Sequence, residues 1–421
     1  MDPTKIGIDQ DFFLKTFAAL AEIGRDPNGQ GYQRLAWSRA EREAHRWFRN
    51  QSEQLGFEVW TDHAGNSFAD FSPLADSEVP ALTIGSHLDT VPYGGAFDGG
   101  LGVVAALTAA KAIRDSGVPF KRPLRVAAFT DEEGPRFGTG LLGSKAVSGA
   151  LDMDLVRQAQ DVDGIRLQDA MAEFGCDLES LPLVRQTLKR FYGYIELHIE
   201  QGPRLERAGL PLAAVTAVTG IRQIRLTFQG KSNHAGTTPK EDRQNTLRAA
   251  AETIAQFSAY VDATDNLVAN PGRVQVHPNA TNVVPGETRL DWDIRSPDPQ
   301  LLDQATRKLA QLAQAASAPF HIVSEDKIFH DVPPCPLNEK WTGIIEASAK
   351  VLNLPITRLV SWAGHDAGVL GRVIPSAMIF VPSRDGISHA PEEFSSDAAM
   401  LEGTRLLTQT TLAILTERRA E

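Results

Sequence analysis

Five donor residues, His87, Asp98, Glu133, His198 and His389, carry the chemistry open to this chain. Three imidazoles and two carboxylates form the mixed nitrogen and oxygen set that Zn²⁺, Mn²⁺, Co²⁺ or Ni²⁺ accept, and together they read as a dinuclear metal site. His87 lies in Gly85-Ser86-His87-Leu88-Asp89-Thr90, followed by Asp98 in Phe97-Asp98-Gly99-Gly100. The apolar run at residues 81–84 predicts a buried strand with His87 and Asp89 at its C-terminal end. A two-residue period points both side chains the same way, which suits a metal-bound imidazole oriented by an acidic partner. Asp98 precedes two glycines and an apolar stretch at residues 101–113, the place of a helix N-cap. Glu133, in Thr130-Asp131-Glu132-Glu133-Gly134, ends a second apolar run at residues 124–129. Ligands of open α/β sheets bind beyond the carboxyl ends of the strands. Around His198, alternation puts Glu196, His198 and Glu200 on one face, which an amphipathic edge strand explains almost as well as a metal ligand does. His389, in Ser388-His389-Ala390-Pro391-Glu392-Glu393, reads singly as a loop histidine. Each context has a plain structural reading alone; jointly those readings fail.

The elements that must position these residues alternate between strand and helix. Ser38-x-x-Glu41 reads as a capping box opening a helix that stops near Gly56. Strands at residues 57–61, 67–71, 81–87 and 124–130, with a helix from residue 101, predict a central sheet with helices on both faces. Near Leu210 the pattern changes to strand 221–229, helix 241–260, strands 273–277 and 287–295, helix 299–317 and strand 320–327. That β-α-β-β-α-β order is the ferredoxin-like unit. The α/β pattern then resumes with helix 339–352, strand 376–381 and a closing helix from Ser396 to Arg418. The fold class is therefore α/β, a mixed-sheet catalytic domain (residues 1–212 and 330–421) interrupted by an α+β domain (residues 213–329).

Composition sets limits. The chain has 421 residues, 42% hydrophobic and 23% charged, with a formal net charge of −11, which speaks for two soluble domains and against nucleic acid as a partner. Cys176 and Cys335 give neither a disulfide framework nor a CxxC site. Met1-Asp2-Pro3-Thr4-Lys5 opens no basic and apolar leader, and no apolar run is long enough to span a membrane; the expected location is cytoplasmic. Gly138-Thr139-Gly140-Leu141-Leu142-Gly143 spells GxGxxG, yet residues 131–137 separate it from the preceding strand, where a dinucleotide fingerprint needs its glycines at the turn itself. These glycines are expected instead to let the backbone pass close to the metal-site loop.

The blocks GSHLDTVPYGGAFDGGLGV, FTDEEGPRF, ELHIEQGP, SNHAGTTP, NATNVVPGE, AGHDAG and SHAPEE, in this order, resemble the M20-type metallohydrolases. They are most similar to the amidase/hydantoinase/carbamoylase branch, which holds N-carbamoyl-L-amino-acid hydrolases, allantoate amidohydrolases and β-ureidopropionases. The likeness runs from about Arg34 to the C-terminus. It implies that Asp98 bridges two divalent ions, with His87 and His198 completing one site and Glu133 and His389 the other. Glu132 becomes the general base, taking the water proton and handing it to the leaving nitrogen. The inserted domain becomes a lid and dimerisation domain, and His234 an oxyanion donor supplied by the partner subunit, worth roughly 3–4 kcal/mol. Asn282 and Arg295 match a carboxylate-binding pair, and Gln201, Gly364 and His365 match substrate contacts. Arg222 stands where allantoate amidohydrolases place an arginine, and is expected to meet a second polar arm of the substrate. The implied protein is a homodimeric enzyme that cleaves the ureido C–N bond of a small anionic ureido acid, an N-carbamoyl-L-amino acid or allantoate. A carbamate product breaks down to CO2 and ammonia.

The chain departs from the pattern at Trp362, where a glycine is usual, at Lys240, and at Arg243-Gln244-Asn245. Trp362 narrows the expected pocket and weakens the transfer of Gly364 and His365. Two other classes compete. An M20 exopeptidase or aminoacylase shares the metal core, but the HIEQGP and NATNVVPGE blocks argue against it. A non-catalytic binding protein on the same fold would be expected to lose a ligand or Glu132, and none is lost.

Overall fold

The structure is a computed structural model describing residues 6–71 and 79–417; Met1–Lys5 and the expected helix end at Arg418 lie outside them. The chain divides into two compact units, residues 1–216 with 336–421, and residues 217–335.

In the first unit a mixed sheet runs in the order Glu58–Thr61, Ser67–Phe71, Leu124–Phe129, Ala81–His87, Phe191–Ile199, Ser376–Val381, Ala213–Val218, with Thr357–Ser361 beside the last. Its four central strands are mutually parallel, and the strands outside them pair antiparallel. Ala81–His87, Leu124–Phe129 and Ser376–Val381 are buried at every residue. Parallel strands are covered on both faces and so demand continuous apolar runs. The helices Gly100–Ser116 and Asp397–Thr416 pack against each other and against this sheet.

Two local expectations are corrected. Phe191–Ile199 lies in the middle of the sheet between Ala81–His87 and Ser376–Val381, not at its edge. Glu196 and His198 break its apolar pattern because both are buried in polar contacts. Asp98 does not cap the helix that follows: Gly99 holds the N-cap position at φ 65°, with no side-chain cap. The box at Ser38 is also modified. Ser38 Oγ accepts from the Glu41 N–H at 3.2 Å, while Glu41 reaches back to the Trp37 N–H at 2.5 Å.

The second unit has the predicted β-α-β-β-α-β order, with an antiparallel sheet ordered Val323–Val332, Gly220–Gln229, Glu287–Ser296, Val268–His277. Helices Thr246–Asp262 and Pro299–Ser317 cover one face around Phe257, Leu290, Trp292 and Leu309. The unit is longer than the 213–329 read from sequence, since strand Val323–Val332 pairs to its end, Val332 opposite Ile221. The helix expected from residue 241 starts at Thr246, because the Asn245 side chain accepts from the Arg248 N–H at 3.0 Å and fixes the N-terminus there. Among the described residues no helix is long and apolar enough to cross a membrane.

Candidate metal centre

His87 closes the strand Ala81–His87, His198 comes from Phe191–Ile199, Glu132 and Glu133 follow Leu124–Phe129, and His389 lies beyond Ser376–Val381. The parallel register puts the carboxyl ends of these strands together, and Asp98 enters from the turn before Gly100–Ser116. Its Oδ1 lies 3.2 Å from His87 Nε2 and 3.1 Å from His198 Nε2, and its Oδ2 lies 3.4 Å from His389 Nε2. Glu133 Oε2 is 3.3 Å from the same His389 nitrogen. Two ligand groups result, His87-Asp98-His198 and Asp98-Glu133-His389, sharing Asp98.

The atoms fit a divalent cation. His87 Nε2, His198 Nε2 and Glu133 Oε1 are buried without hydrogen-bond partners, a state that costs about 1–3 kcal/mol per group. Convergent imidazole nitrogens and carboxylate oxygens are satisfied together by a metal ion. The outer nitrogens are already engaged: His87 Nδ1 lies 3.2 Å from the Asp89 carbonyl and 3.4 Å from its carboxylate, and His198 Nδ1 lies 2.9 Å from the Ile199 carbonyl. With Nδ1 engaged outward, Nε2 of each ring is the nitrogen left to face an ion; without metal the neighbouring carboxylates, Glu132 for His87 and Asp98 for His198, raise both imidazoles against their burial. Burial alone would raise the Asp98 carboxyl, but His198, His389 and His87 hold it well below the usual carboxylate range.

Asp89 also organises the acidic loop. Its two oxygens accept from the N–H groups of Glu132 at 3.1 Å and Glu133 at 3.0 Å. Glu132 Oε2 sits 3.8 Å from His87 Nε2. Burial pushes its carboxyl well above the ordinary range, opposed by His87 and reinforced by Glu133. That is the direction that suits a proton acceptor working near neutral pH. The glycines behave as expected beside this loop: a side chain at Gly140 would press on the Glu132 carbonyl, and one at Gly143 on Thr130 and Asn66.

Three supporting residues escaped the sequence reading. Glu393 Oε1 accepts from the N–H groups of Phe97 and Asp98, both at 3.0 Å, and its Oε2 accepts from Ser388 Oγ at 2.8 Å. Ser388 Oγ also donates to Asp98 Oδ2 at 3.1 Å. The turn that carries Asp98 is thus fixed from the far end of the chain. Gly99 is required beside it, since a Cβ there would come within 2.4 Å of the His87 ring. The one available signal was the pairing of Asp98 with two glycines, and of His389 with a following acid.

Gln201 stands at the centre, its Nε2 donating to Asp98 Oδ2 at 2.7 Å. His365 does not open toward a ligand. It is 1% exposed, its ring packs 4.5 Å from that of His198, and Nε2 lies 2.8 Å from Ser361 Oγ. Burial holds it well below the usual imidazole range, so it is neutral. In this position it packs against the His198 ring, and the expected substrate contact is not formed by its own exposed surface. Glu196, in a further acid-imidazole group with His198 and His365, is also already engaged, with its oxygens accepting from Ser86 Oγ and the Ala367 N–H at 2.7 and 2.9 Å. Gly364 has room for a Cβ in ordinary contact with Leu141, and Arg204 lies over the Trp362 ring at 5.5 Å.

In the second unit, Asn233–His234 and Val283–Val284 form a two-stranded ladder, and the Ala235 N–H donates to the Asn282 carbonyl at 3.0 Å. His234 and Asn282 are therefore neighbours. His234 Nδ1 accepts from the N–H groups of Gly236 and Thr237, both at 3.0 Å, so Nε2 carries the proton and is left as a donor. Arg295 is not beside Asn282. It lies at the other end of Glu287–Ser296, eight residues from Glu287, a separation of about 27 Å along a strand, and donates to Asp293 at 2.7 Å. Arg222, expected to meet a polar arm of the substrate, is engaged within its own unit here: its guanidinium binds both Asp331 oxygens at 3.0 and 2.9 Å and Asp303 at 2.8 Å, a fork-to-carboxylate geometry.

Comparison with known proteins agrees with this geometry. The chain is 34% identical over 391 residues to an N-carbamoyl-L-amino acid amidohydrolase of Geobacillus stearothermophilus, covering 93% of this chain and 95% of that one. It is 35% identical over 398 residues to an allantoate amidohydrolase of Escherichia coli K12, with 93% and 95% covered. A crystal structure of an amidase of the hydantoinase/carbamoylase family from Burkholderia multivorans superposes with a TM-score of 0.86 at 30% identity, covering 98% of this chain and 99% of the other. The profile of peptidase family M20/M25/M40 matches residues 83–413, and the chain belongs to that family.

Proposed function

We propose that this protein hydrolyses the ureido C–N bond of an N-carbamoyl-L-amino acid or of allantoate, using two divalent ions held as His87-Asp98-His198 and Asp98-Glu133-His389. The carrying observation is the single carboxylate, Asp98, within 3.4 Å of three imidazoles whose inward nitrogens include two buried atoms without partners. Two bound cations, Zn²⁺ or else Mn²⁺, Co²⁺ or Ni²⁺, would supply the charge that acidifies a water and polarises the ureido carbonyl. Glu132 accepts the proton of the attacking water and returns it to the departing nitrogen. Asp89 keeps the His87 ring and the Glu132–Glu133 backbone in register. Gln201 presents its amide beside Asp98, where the substrate would meet it. The carbamate left after C–N cleavage breaks down to CO2 and an amine or ammonia.

The donor nitrogen of His234 supports its reading as the oxyanion partner. Asn282, beside the Val283–Val284 ladder, and Arg295, near the far end of Glu287–Ser296, are well separated within one chain, so gripping one carboxylate together would take two copies, which supports a homodimer formed through the 217–335 unit, with His234 acting in trans and that unit as a lid. The thiols of Cys176 and Cys335 support a reducing, cytoplasmic setting. The engagement of Arg222 removes its argument for allantoate, so both ureido substrates stand equally.

The test is ammonia release by the Mn²⁺-loaded protein from allantoate and a panel of N-carbamoyl-L-amino acids. Turnover of at least one is expected. Cleavage of dipeptides or N-acetyl amino acids with no ureido turnover would overturn the reading in favour of an exopeptidase or aminoacylase.

A further inference from the structure

A pocket of about 210 Å³ opens in the first unit between the helix Arg39–Gln54, the hairpin that follows it and the segment around Phe174, and it shares no residue with the metal groups. Arg42, Arg46 and Arg49 line it. Spaced i, i+4 and i+7 on one helix, they share a face, and like charges at that spacing destabilise a helix unless something neutralises them. Little in the protein does. Arg42 has one carboxylate contact, with Glu173 at 3.5 Å, and Glu173 is 75% exposed, which leaves that pair weak. Arg49 donates to the Thr61 hydroxyl at 3.1 Å, a neutral partner. Arg42 stacks 4.8 Å from the Phe174 ring, and its Nε is buried with no hydrogen-bond partner.

Two carboxyls lie behind the pocket, Glu41 with Oε1 3.9 Å from His45 Nε2 and Asp62 close enough to act on Cys176; burial raises both, Asp62 to about 7 and Glu41 well above the carboxylate range, which limits the negative charge they bring. His45 is buried and held down to about 4 by that burial, hence neutral, with Nδ1 2.8 Å from Ser67 Oγ. The Cys176 thiol is pushed up to about 11, mainly by burial, and stays protonated. Three guanidinium forks around a concavity, one resting on an aromatic face, match the geometry of a tetrahedral oxyanion.

We infer that this pocket is a binding site for a small phosphate-class oxyanion, separate from the metal centre. Cys176 lines it and provides a local reporter, with buried Cys335 as an internal reference. Because phosphate also meets bound metals, the experiment reads the pocket directly: maleimide labelling of Cys176 in the metal-loaded protein, followed by peptide mass, against inorganic phosphate. At ten times the Kd about one pocket in eleven is free, so labelling slows about tenfold. A nucleoside monophosphate in a parallel arm distinguishes an esterified ligand from the free ion by the stronger protection. The double variant R46E/R49E, and the milder R46S, should lose the protection while keeping the ureido-hydrolase activity that reports an intact fold. Labelling indifferent to phosphate, equal protection by chloride at matched ionic strength, or undiminished protection in a folded R46E/R49E protein would overturn the site.

Discussion

Asp98, with 6% of its side chain exposed, gathers three imidazoles within 3.4 Å, while Arg222 in the 217–335 unit commits its guanidinium to Asp303 and Asp331 at 2.8–3.0 Å. Both are dense charge clusters, and their accounts differ. Around Asp98, buried nitrogens and a carboxylate oxygen remain without partners; around Arg222 each donor has a matching acceptor from its own unit. Buried polar atoms left short are costly, so their retention marks a place that something else must complete. Satisfied ion pairs at a partly exposed sheet edge mark structure. Chemistry is therefore expected to fail on changes at the first cluster, and only stability on changes at the second.

The largest effect should come from emptying the first cluster. Chelation should abolish turnover, and Mn²⁺, Co²⁺, Ni²⁺ or Zn²⁺ should restore it. Glu132→Gln should retain the metals, measured by elemental analysis, yet lose about 10²–10⁴-fold in kcat. Full activity in that variant would remove Glu132 from the chemistry. Next is His234, whose satisfied Nδ1 gives it a place between the two cases. His234→Ala should lose about 10²–10³-fold in kcat. Mixing it with Glu132→Gln subunits should regenerate part of the activity; none, with subunit exchange verified, would refute action in trans.

A smaller effect separates metal-free from metal-loaded protein by pH. The hydrogen bond to Asp98, helped by Glu133, raises His389 to about 9 in the metal-free protein against the partial burial that lowers it. Its folded value lies above the unfolded one, so its contribution to stability is complete below about pH 6.5 and is lost as the pH rises through about 9. Metal must displace that proton, and any held by the raised His87 and His198, so affinity should rise at least about tenfold per pH unit below pH 9. Thermal melts of the chelated protein and calorimetric titrations in two buffers would read these opposite trends. Parallel trends would mean that His389 is neutral before metal arrives.

Legibility in the sequence divides along the same line. The helices Pro299–Ser317 and Glu339–Leu352 and the strand Ser376–Val381 were readable to the residue, because apolar period and caps are local. His87, Glu132 and Glu133 were readable because they end apolar runs. The Phe191–Ile199 strand was ambiguous, since Glu196 and His198 imitate a solvent face when the polar surroundings that bury them come from elsewhere in the chain. Glu393 showed locally only as an acid following His389, because the N–H groups it holds lie 295 and 296 residues away. The neighbours of Arg222 were illegible for a related reason. A motif position names the residue but not its neighbours, and Asp331 faces it only through pairing of strands far apart in sequence.

The smallest predicted effect tests what Arg222 does. Arg222 joins Gly220–Gln229 to Val323–Val332 through Asp331 and to the helix Pro299–Ser317 through Asp303 and Thr306. Asp303 and Asp331 are 54% and 42% exposed, so solvent screens both pairs, and removing them should cost only about 1 kcal/mol. Arg222→Leu should therefore lower the melting temperature of the protein slightly and leave the ratio of kcat/KM for allantoate and N-carbamoyl-L-amino acids unchanged, since leucine removes a clamp and no substrate contact. A selective loss on allantoate, with stability intact, would show that the guanidinium leaves its aspartates to read the substrate. The division between an incomplete catalytic cluster and a self-sufficient insertion would then have to be redrawn at this residue.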